Sequence, residues 1–465
     1  MKALSLLSAL AIFSGVQAGV PLEPENGKIY FGAWYARPNG DTPAAINTRV
    51  GKKLAMFQSD FNITDTINEG NPLQFLQQMD ETKSDAIMYL TAYPMYGFDS
   101  VTDKAIDDLA NLVANVTNSG RRVFLRYASE MNGNWFAYGR QPRKFIDSFR
   151  KVVTAVRSKS KPETVAIVWA PNSSNGYPFA NDPAKYPYPA PLINSSHPDW
   201  DILDTNGDGQ LTVQDDPYSP YYPGDDYVDW VGMSQYHYGS VFSDKYDAWV
   251  DNSLPNGDQI HQMIRGGNNK TLYDFYGMFC EGGKTNASQG GKPFQLTETG
   301  STFHIRLRNE TEYADPGPGR VAIKKAWWEQ FLNEAFITQF PHFKAFNFFE
   351  FQKYEESSLR DFTNLGPNPS TLDPFTGAQI VNETNAVLDA FLADLPNFEM
   401  HLIWGNDSDI DSKKPKQNET AGGNGTGQPN SPSGSVNLSG AEGSRVGLAA
   451  ILGAVAVGLV GLVVV

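Results

Sequence analysis

The chain has 465 residues, with 37 Lys and Arg against 52 Asp and Glu for a net charge of −15, and its folded part holds no basic run of the kind that nucleic acid demands. Nucleic acid is thereby excluded as a partner. A single cysteine, Cys280, excludes an internal disulfide framework, so the fold must rest on a large apolar core.

At the start, Lys2 precedes an apolar stretch from Leu4 to Val16 that ends in Val16-Gln17-Ala18. Small residues there suit a signal peptidase, so residues 1–18 are expected to be a signal peptide and the protein to be exported. Short β-branched and aromatic runs then predict eight strands, at residues 28–35, 53–58, 86–91, 122–127, 165–170, 227–235, 294–297 and 344–351. Helical patterns lie between most of them, at 102–116, 142–158 and 320–340, and a last helix at 383–393 closes the domain. Continuously apolar strands alternating with helices predict an α/β fold, a parallel (β/α)8 TIM barrel over residues 19–405, read as a monomer. An open doubly wound sheet would place a glycine-rich phosphate loop after the first strand, and Tyr35-Ala36-Arg37-Pro38-Asn39-Gly40 is not one.

Between the fifth and sixth strands, residues 172–224 are Pro- and Tyr-rich and mostly irregular, a length that needs a special reason in a compact domain. Residues 204–215 match the twelve-residue calcium loop, with oxygen side chains at positions 1, 3, 5 and 9, Gly209 at position 6 and an acid at position 12. Asp204, Asn206, Asp208 and Asp215 would supply side-chain oxygens, Gln210 its backbone carbonyl, and Thr212 a direct or water-borne contact. A structural Ca2+ pinning the insertion is therefore expected, and an acidic surface turn is the plainer reading.

Residues 406–444 form a Gly/Ser/Asn-rich linker expected to be disordered. The apolar tail at 445–465 has no basic stop after it and small residues, Ser439, Gly440 and Ala441, before it. That pattern matches the signal for a glycosylphosphatidylinositol (GPI) anchor, which would tether the protein to the plasma membrane at the cell surface or wall; an ordinary single span is the alternative. Twelve Asn-X-Ser/Thr sequons, from Asn62 to Asn437, agree with a secretory route.

Two apolar, strand-like runs end in a carboxylate beside small residues: Leu125-Arg126-Tyr127-Ala128-Ser129-Glu130 and Phe294-Gln295-Leu296-Thr297-Glu298. At the ends of the fourth and seventh barrel strands, Glu130 and Glu298 would face one substrate across the mouth. Breaking a glycosidic bond requires a proton donor and a nucleophile or base, which two carboxylates in unlike environments supply. A separation of about 5–5.5 Å would give double displacement with retained configuration. Tyr236 could donate to Glu298 and keep it ionised as the nucleophile, leaving Glu130 as acid/base. Around them Trp135 and Trp169 read as sugar platforms or as core, Asn132 and Asn172 as partners for sugar hydroxyls, and Arg126 as a charge holding a carboxylate. Asn172 also heads a sequon, which a cleft position would leave unglycosylated. His237 and His304 lie beyond strand ends and are assigned at most a sugar contact, since no His-x-x-x-His spacing supports zinc.

The run Arg126-Tyr127-Ala128-Ser129-Glu130-Met131-Asn132-Gly133-Asn134-Trp135, with Trp169-Ala170-Pro171-Asn172, the stretch from Tyr222 to Gly232 and Thr297-Glu298-Thr299-Gly300, resembles glycoside hydrolase family 26 in order and spacing. The likeness spans roughly residues 28–395. It implies a retaining endo-hydrolase with a (β/α) barrel, Glu130 as acid/base and Glu298 as nucleophile, no cofactor for catalysis, and a β-linked polysaccharide as substrate. Mannan comes first, then mixed-linkage or β-1,3-glucan. One position departs: the family's usual histidine before the acid/base is Ser129 here, a neutral, smaller group that alters the tuning of Glu130. A non-catalytic carbohydrate-binding surface protein is the competing reading.

Overall fold

The computed structural model describes residues 19–412 apart from 36–40, 66–70, 180–188, 247, 267–272, 283–290, 308–313, 356–357 and 367–380. Eight strands, β1 Ile29–Tyr35, β2 Met56–Asn62, β3 Ile87–Tyr93, β4 Val123–Tyr127, β5 Val165–Trp169, β6 Trp230–His237, β7 Phe294–Ser301 and β8 Phe343–Glu350, pair in parallel in chain order. Pairing of β8 with β1 closes the ring. This is a closed eight-strand parallel barrel of the (β/α)8 type. A short strand, Leu402–Ile403, adds to the first residues of β1.

Side-chain alternation divides each strand between two cores. Ala166 and Val168 of β5 point into the barrel with Tyr30, Met56, Tyr89, Phe124 and Trp230, while Val165, Ile167 and Trp169 pack outward against the helical layer. Both faces are apolar, so the strand sequences read as unbroken hydrophobic runs. The helix Asp103–Asn118 opens on Thr102, whose hydroxyl accepts from Ala105 N, and Pro142–Lys159 opens on a proline at its first turn.

Three features depart from the sequence reading. The predicted helix at 320–340 is two helices, Arg320–Trp328 and Glu334–Gln339: the Asn333 side chain accepts from Phe336 N and starts the second afresh. The sixth strand begins at Trp230, because Asp225–Tyr227 is a 3-10 turn. Strands Phe303–Leu307, Gln352–Glu355 and Ser358–Asp361, which follow β7 and β8, form an unexpected antiparallel sheet.

The insertion after β5 is mostly irregular where described, with short helical turns at Trp200–Leu203 and Ser219–Tyr221. Its acidic loop closes on its own backbone. Asp204 accepts from the amides of Asp208 and Gly209, Asn206 from Asp208, and Asp208 from Gln210. Buried Asp215 takes the amides of Thr205, Asn206 and Thr212. Among the described residues no three or more His, Cys, Asp or Glu are grouped to hold a metal ion. The expected site at Asp204, Asn206, Asp208, Gln210 and Asp215 therefore rests on the sequence pattern and gains nothing from the geometry, since the carboxylates are turned onto amides.

The signal segment at 1–18 and the apolar tail at 445–465 lie outside the described residues, as does the linker beyond Ser412. No helix among the described residues is long and apolar enough to cross a membrane.

Candidate active site

Above the apolar barrel floor, the inward positions turn polar toward the C-terminal strand ends. Two residues past Phe124 on β4, Arg126 shares its inward face; two residues past Met56 on β2 comes Gln58, and two past Tyr89 on β3 comes Thr91. These side chains bond to one another, Arg126 Nε donating to Thr91 Oγ1 at 3.0 Å and Gln58 Nε2 reaching the same oxygen at 3.4 Å.

Simple alternation would turn Glu298 away from this layer, because Leu296 on β7 packs outward. A β-bulge reverses it. In the β6–β7 register Met233 pairs with Leu296 but the next residue, Ser234, pairs with Glu298, skipping Thr297, so Thr297 and Glu298 both face inward. Glu298 is then held on both oxygens: Oε1 forms a buried ion pair with Arg126 Nη2 and accepts from Gln58 Nε2 at 3.1 Å, and Oε2 accepts from the Tyr236 hydroxyl at 2.8 Å. Burial and the Glu298 charge raise the Tyr236 phenol well above its ordinary range, so it remains a donor.

Glu130 arrives by another route. Beyond the end of β4, Ala128 and Glu130 take left-handed backbone angles, φ 46° and 57°, a conformation that costs roughly 1–3 kcal/mol per residue and persists only where its surroundings enforce it. Here the Glu130 amide donates to Ala170 O of the next strand end at 2.8 Å, and its carboxylate is turned to the mouth. Its oxygens meet neutral donors, Asn172 Nδ2 at 3.2 Å and Trp135 Nε1 at 3.0 Å. Burial, and next the charge of Glu298, push the Glu130 carboxyl up to about 7; Ser234, Arg126 and Asn172 draw it partly back. Asn172, which donates to Glu130, also bridges to Ser234, and Ser234 pairs in register with Glu298, so the two carboxylates stand at one mouth.

Several expected roles change. Trp169 is fully buried on the outer face of β5 among Tyr222, Phe275 and Phe279, so it is core and not a sugar platform. Trp135 is buried too, its ring edge-on to Phe179 and close under Gly133, where an added Cβ would stand 2.4 Å from it; it serves Glu130 through its N–H. Asn132 spends both ends of its amide on the backbone of Asn172, at 2.9 and 2.8 Å, leaving no hydroxyl-binding function. Asn172 so fixed donates to Glu130. His237 and His304 are buried with both ring nitrogens taken by Gln259 and Ser253, and by Ser358 and Tyr238, and burial pushes His304 down to about 3, so neither faces a sugar.

Gln58, Thr91 and Ser234 were missed. Thr91 is a single polar residue inside an apolar run, whereas Gln58 and Ser234 each open a polar stretch within a strand. A third buried carboxylate, Glu350 at the end of β8, is also pushed up to about 7 by burial, but the amides of Asn364 and Leu365 lock both its oxygens to a loop. Its work is structural.

Residues 60–190 match the family model described as glycosyl hydrolase family 26. The match takes in Arg126, Glu130, Asn132, Trp135 and Asn172 and stops before Tyr236 and Glu298. No curated protein matches the chain. Among solved structures, a Cellulomonas fimi endo-β-1,4-mannanase double mutant is similar at 15% identity and TM-score 0.42, over 82% of this chain and 73% of that one. The GH26 domain of a Prevotella bryantii endo-β-mannanase/endo-β-glucanase is similar at 13% identity and TM-score 0.39, over 72% and 86%, and a Bacillus subtilis mannanase at 16% and 0.37, over 78% and 85%.

Proposed function

We propose that this protein is a retaining endo-glycoside hydrolase of β-linked polysaccharide, with mannan the first candidate and mixed-linkage or β-1,3-glucan the second. The observation that carries this is the unlike treatment of two buried carboxylates at one barrel mouth. Glu298 is gripped by a guanidinium, a phenol and an amide, whereas Glu130 meets only neutral donors and is pushed up to about 7. Unlike hydrogen-bonding and charge environments around two paired acids assign their roles. The family-model match over residues 60–190 supports the same chemistry.

In this reading Glu298, held as the carboxylate, attacks the anomeric carbon while protonated Glu130 gives its proton to the departing glycosidic oxygen. The C–O bond to the leaving chain breaks and a glycosyl ester to Glu298 forms. Glu130, now ionised, takes a proton from water, whose oxygen displaces Glu298 and restores the starting configuration. Asn132, by clamping the Asn172 backbone, fixes the donor that tunes the acid.

The test is digestion of mannan, galactomannan, lichenan, laminarin, curdlan, β-1,3-xylan and cellulose by the domain from Gly19 to Trp404, with product anomers read early by proton NMR. Release of β-anomers that disappears in both Glu130→Ala and Glu298→Ala is expected. Saturable binding with no reducing ends released would overturn the reading in favour of a carbohydrate-binding protein. Export, a GPI anchor at the cell surface and a structural Ca2+ remain part of the proposal on the sequence patterns alone; release of the protein from cells by a phosphatidylinositol-specific phospholipase, and calorimetric uptake of calcium, would test them.

A further inference from the structure

Past β6 the chain folds into a small hairpin, Phe242–Ser243 paired antiparallel with Ala248–Trp249. Its turn, Asp244-Lys245-Tyr246, is mostly polar, but Val241 and Phe242 at its open end are apolar and exposed to solvent, 65% and 41%. Phe242 meets Trp249 edge-on, with ring centroids 4.9 Å apart. Trp249 in turn lines a cavity of about 90 Å3 whose other walls include Asn172, Ser234, Tyr236 and Tyr238. The first three of these surround the Glu130–Glu298 pair. Tyr236 and Tyr238 stand 5.6 Å apart, and the Arg360 guanidinium backs the Tyr238 ring at 4.9 Å, fixing it in place.

Tyr236, whose hydroxyl holds Glu298, thus shares one cavity wall with Tyr238 and Trp249, and Trp249 extends it to the exposed Phe242. The axial C–H faces of pyranose rings pack on such surfaces, and rings with few rotatable bonds bind at low entropic cost. Building on the hydrolase reading above, we propose that Tyr238, Trp249 and Phe242 form a distal subsite holding sugar units of the polysaccharide beyond those at the point of cleavage. Because Asn172 and Tyr236, which bond to Glu130 and Glu298, line the same cavity as Tyr238 and Trp249, the occupant is the same chain that is cut.

The test compares kcat/KM of the full chain on β-1,4-mannohexaose and mannotriose, or on mixed-linkage gluco-oligosaccharides of the same lengths if the polymer panel selects glucan. Phe242→Ala and Trp249→Ala are expected to lower the hexaose-to-triose ratio about 3- to 10-fold, through KM on the longer chain. Phe242 is exposed enough that its variant keeps the fold, checked by thermal melting, so that variant decides the matter if Trp249→Ala misfolds. A wild type that prefers the hexaose while the variants keep its ratio would overturn the subsite and leave the hydrolase standing. A wild type inert on every polymer would overturn both.

Discussion

The ends of β4 and β7 present the same side chain to the same space and treat it in opposite ways. At β7 a bulge turns Glu298 into an ion pair with Arg126 and a bond from Tyr236. At β4 a left-handed turn holds Glu130 among neutral N–H donors, where burial outweighs their help. The lesson is that a buried carboxylate's role follows from its partners' charge and not from its own chemistry. If so, the two sites should respond differently to the same substitution.

The largest effect expected is on turnover. Glu298→Ala removes the proposed nucleophile and should lower kcat on polymer by at least about 10³-fold, and Glu130→Ala, removing the proposed acid/base, by about 10²–10⁴-fold. The two should part on an aryl glycoside with an acidic leaving group, where Glu130→Ala forms the glycosyl-enzyme without acid help and added azide restores turnover as a β-glycosyl azide. Equal loss on both substrates, with no azide product in the Glu130 variant, would erase the distinction between the two ends.

Stability should separate them next. Glu298→Gln leaves Arg126 buried and unpaired, and removing one partner of a buried pair costs about 3–5 kcal/mol. Glu130→Gln removes a carboxylate whose charged form is penalised by burial. A group raised in the folded state stabilises it below its unfolded value and loses that contribution as pH climbs through about 7. The Gln variant should therefore be more stable than wild type at pH 8, by about 3 kcal/mol, with the gain vanishing near pH 4. Parallel shifts of both variants at pH 8 in urea melts would contradict the contrast.

A smaller effect is expected on pH dependence. Asn172→Ala removes an N–H bonded to Glu130 Oε1, a donor that favours the charged form. Glu130 should then hold its proton to higher pH, moving the alkaline limb of kcat/KM upward from about 7. The same bond makes Asn172, buried at the head of its sequon, a position where mass spectrometry should find no glycan.

The barrel and its carboxylates were legible in the sequence because both report through simple patterns: apolar runs at regular spacing, and a glutamate beside small residues at the end of two of them. The strand ends were not. Strands predicted to stop at Gln58, Thr91 and Thr297 run on to Asn62, Tyr93 and Ser301, because polar residues there face the mouth instead of marking a loop. The bulge before Glu298 leaves no trace in composition, so its aim could only be expected from the chemistry. Trp169 was ambiguous for the reverse reason: alternation along β5 puts it on the outer face, but only once Ala166 and Val168 are known to point inward.

Ser129 supplies the smallest effect and the finest cut between the two ends. It stands where the resembling family usually has histidine, so a catalytic duty would be its natural assignment. The structure gives its hydroxyl nothing to do: among the described residues the buried Ser129 Oγ has no hydrogen-bond partner, and only its backbone carbonyl is engaged, accepting from the Tyr138 hydroxyl at 2.7 Å. A buried hydroxyl without a partner costs about 1–3 kcal/mol in lost hydration, so deleting it should not destabilise the fold. Ser129→Ala is expected to melt at or slightly above wild type and to keep kcat within about twofold. Tyr138→Phe, which frees a buried carbonyl at the root of the Glu130 turn, should cost about 1–3 kcal/mol and lower kcat more than Ser129→Ala does. A loss of turnover in Ser129→Ala as large as that in Glu130→Ala would mean that the hydroxyl acts on the acid itself, and the tuning at β4 would no longer be the work of burial and neutral donors alone.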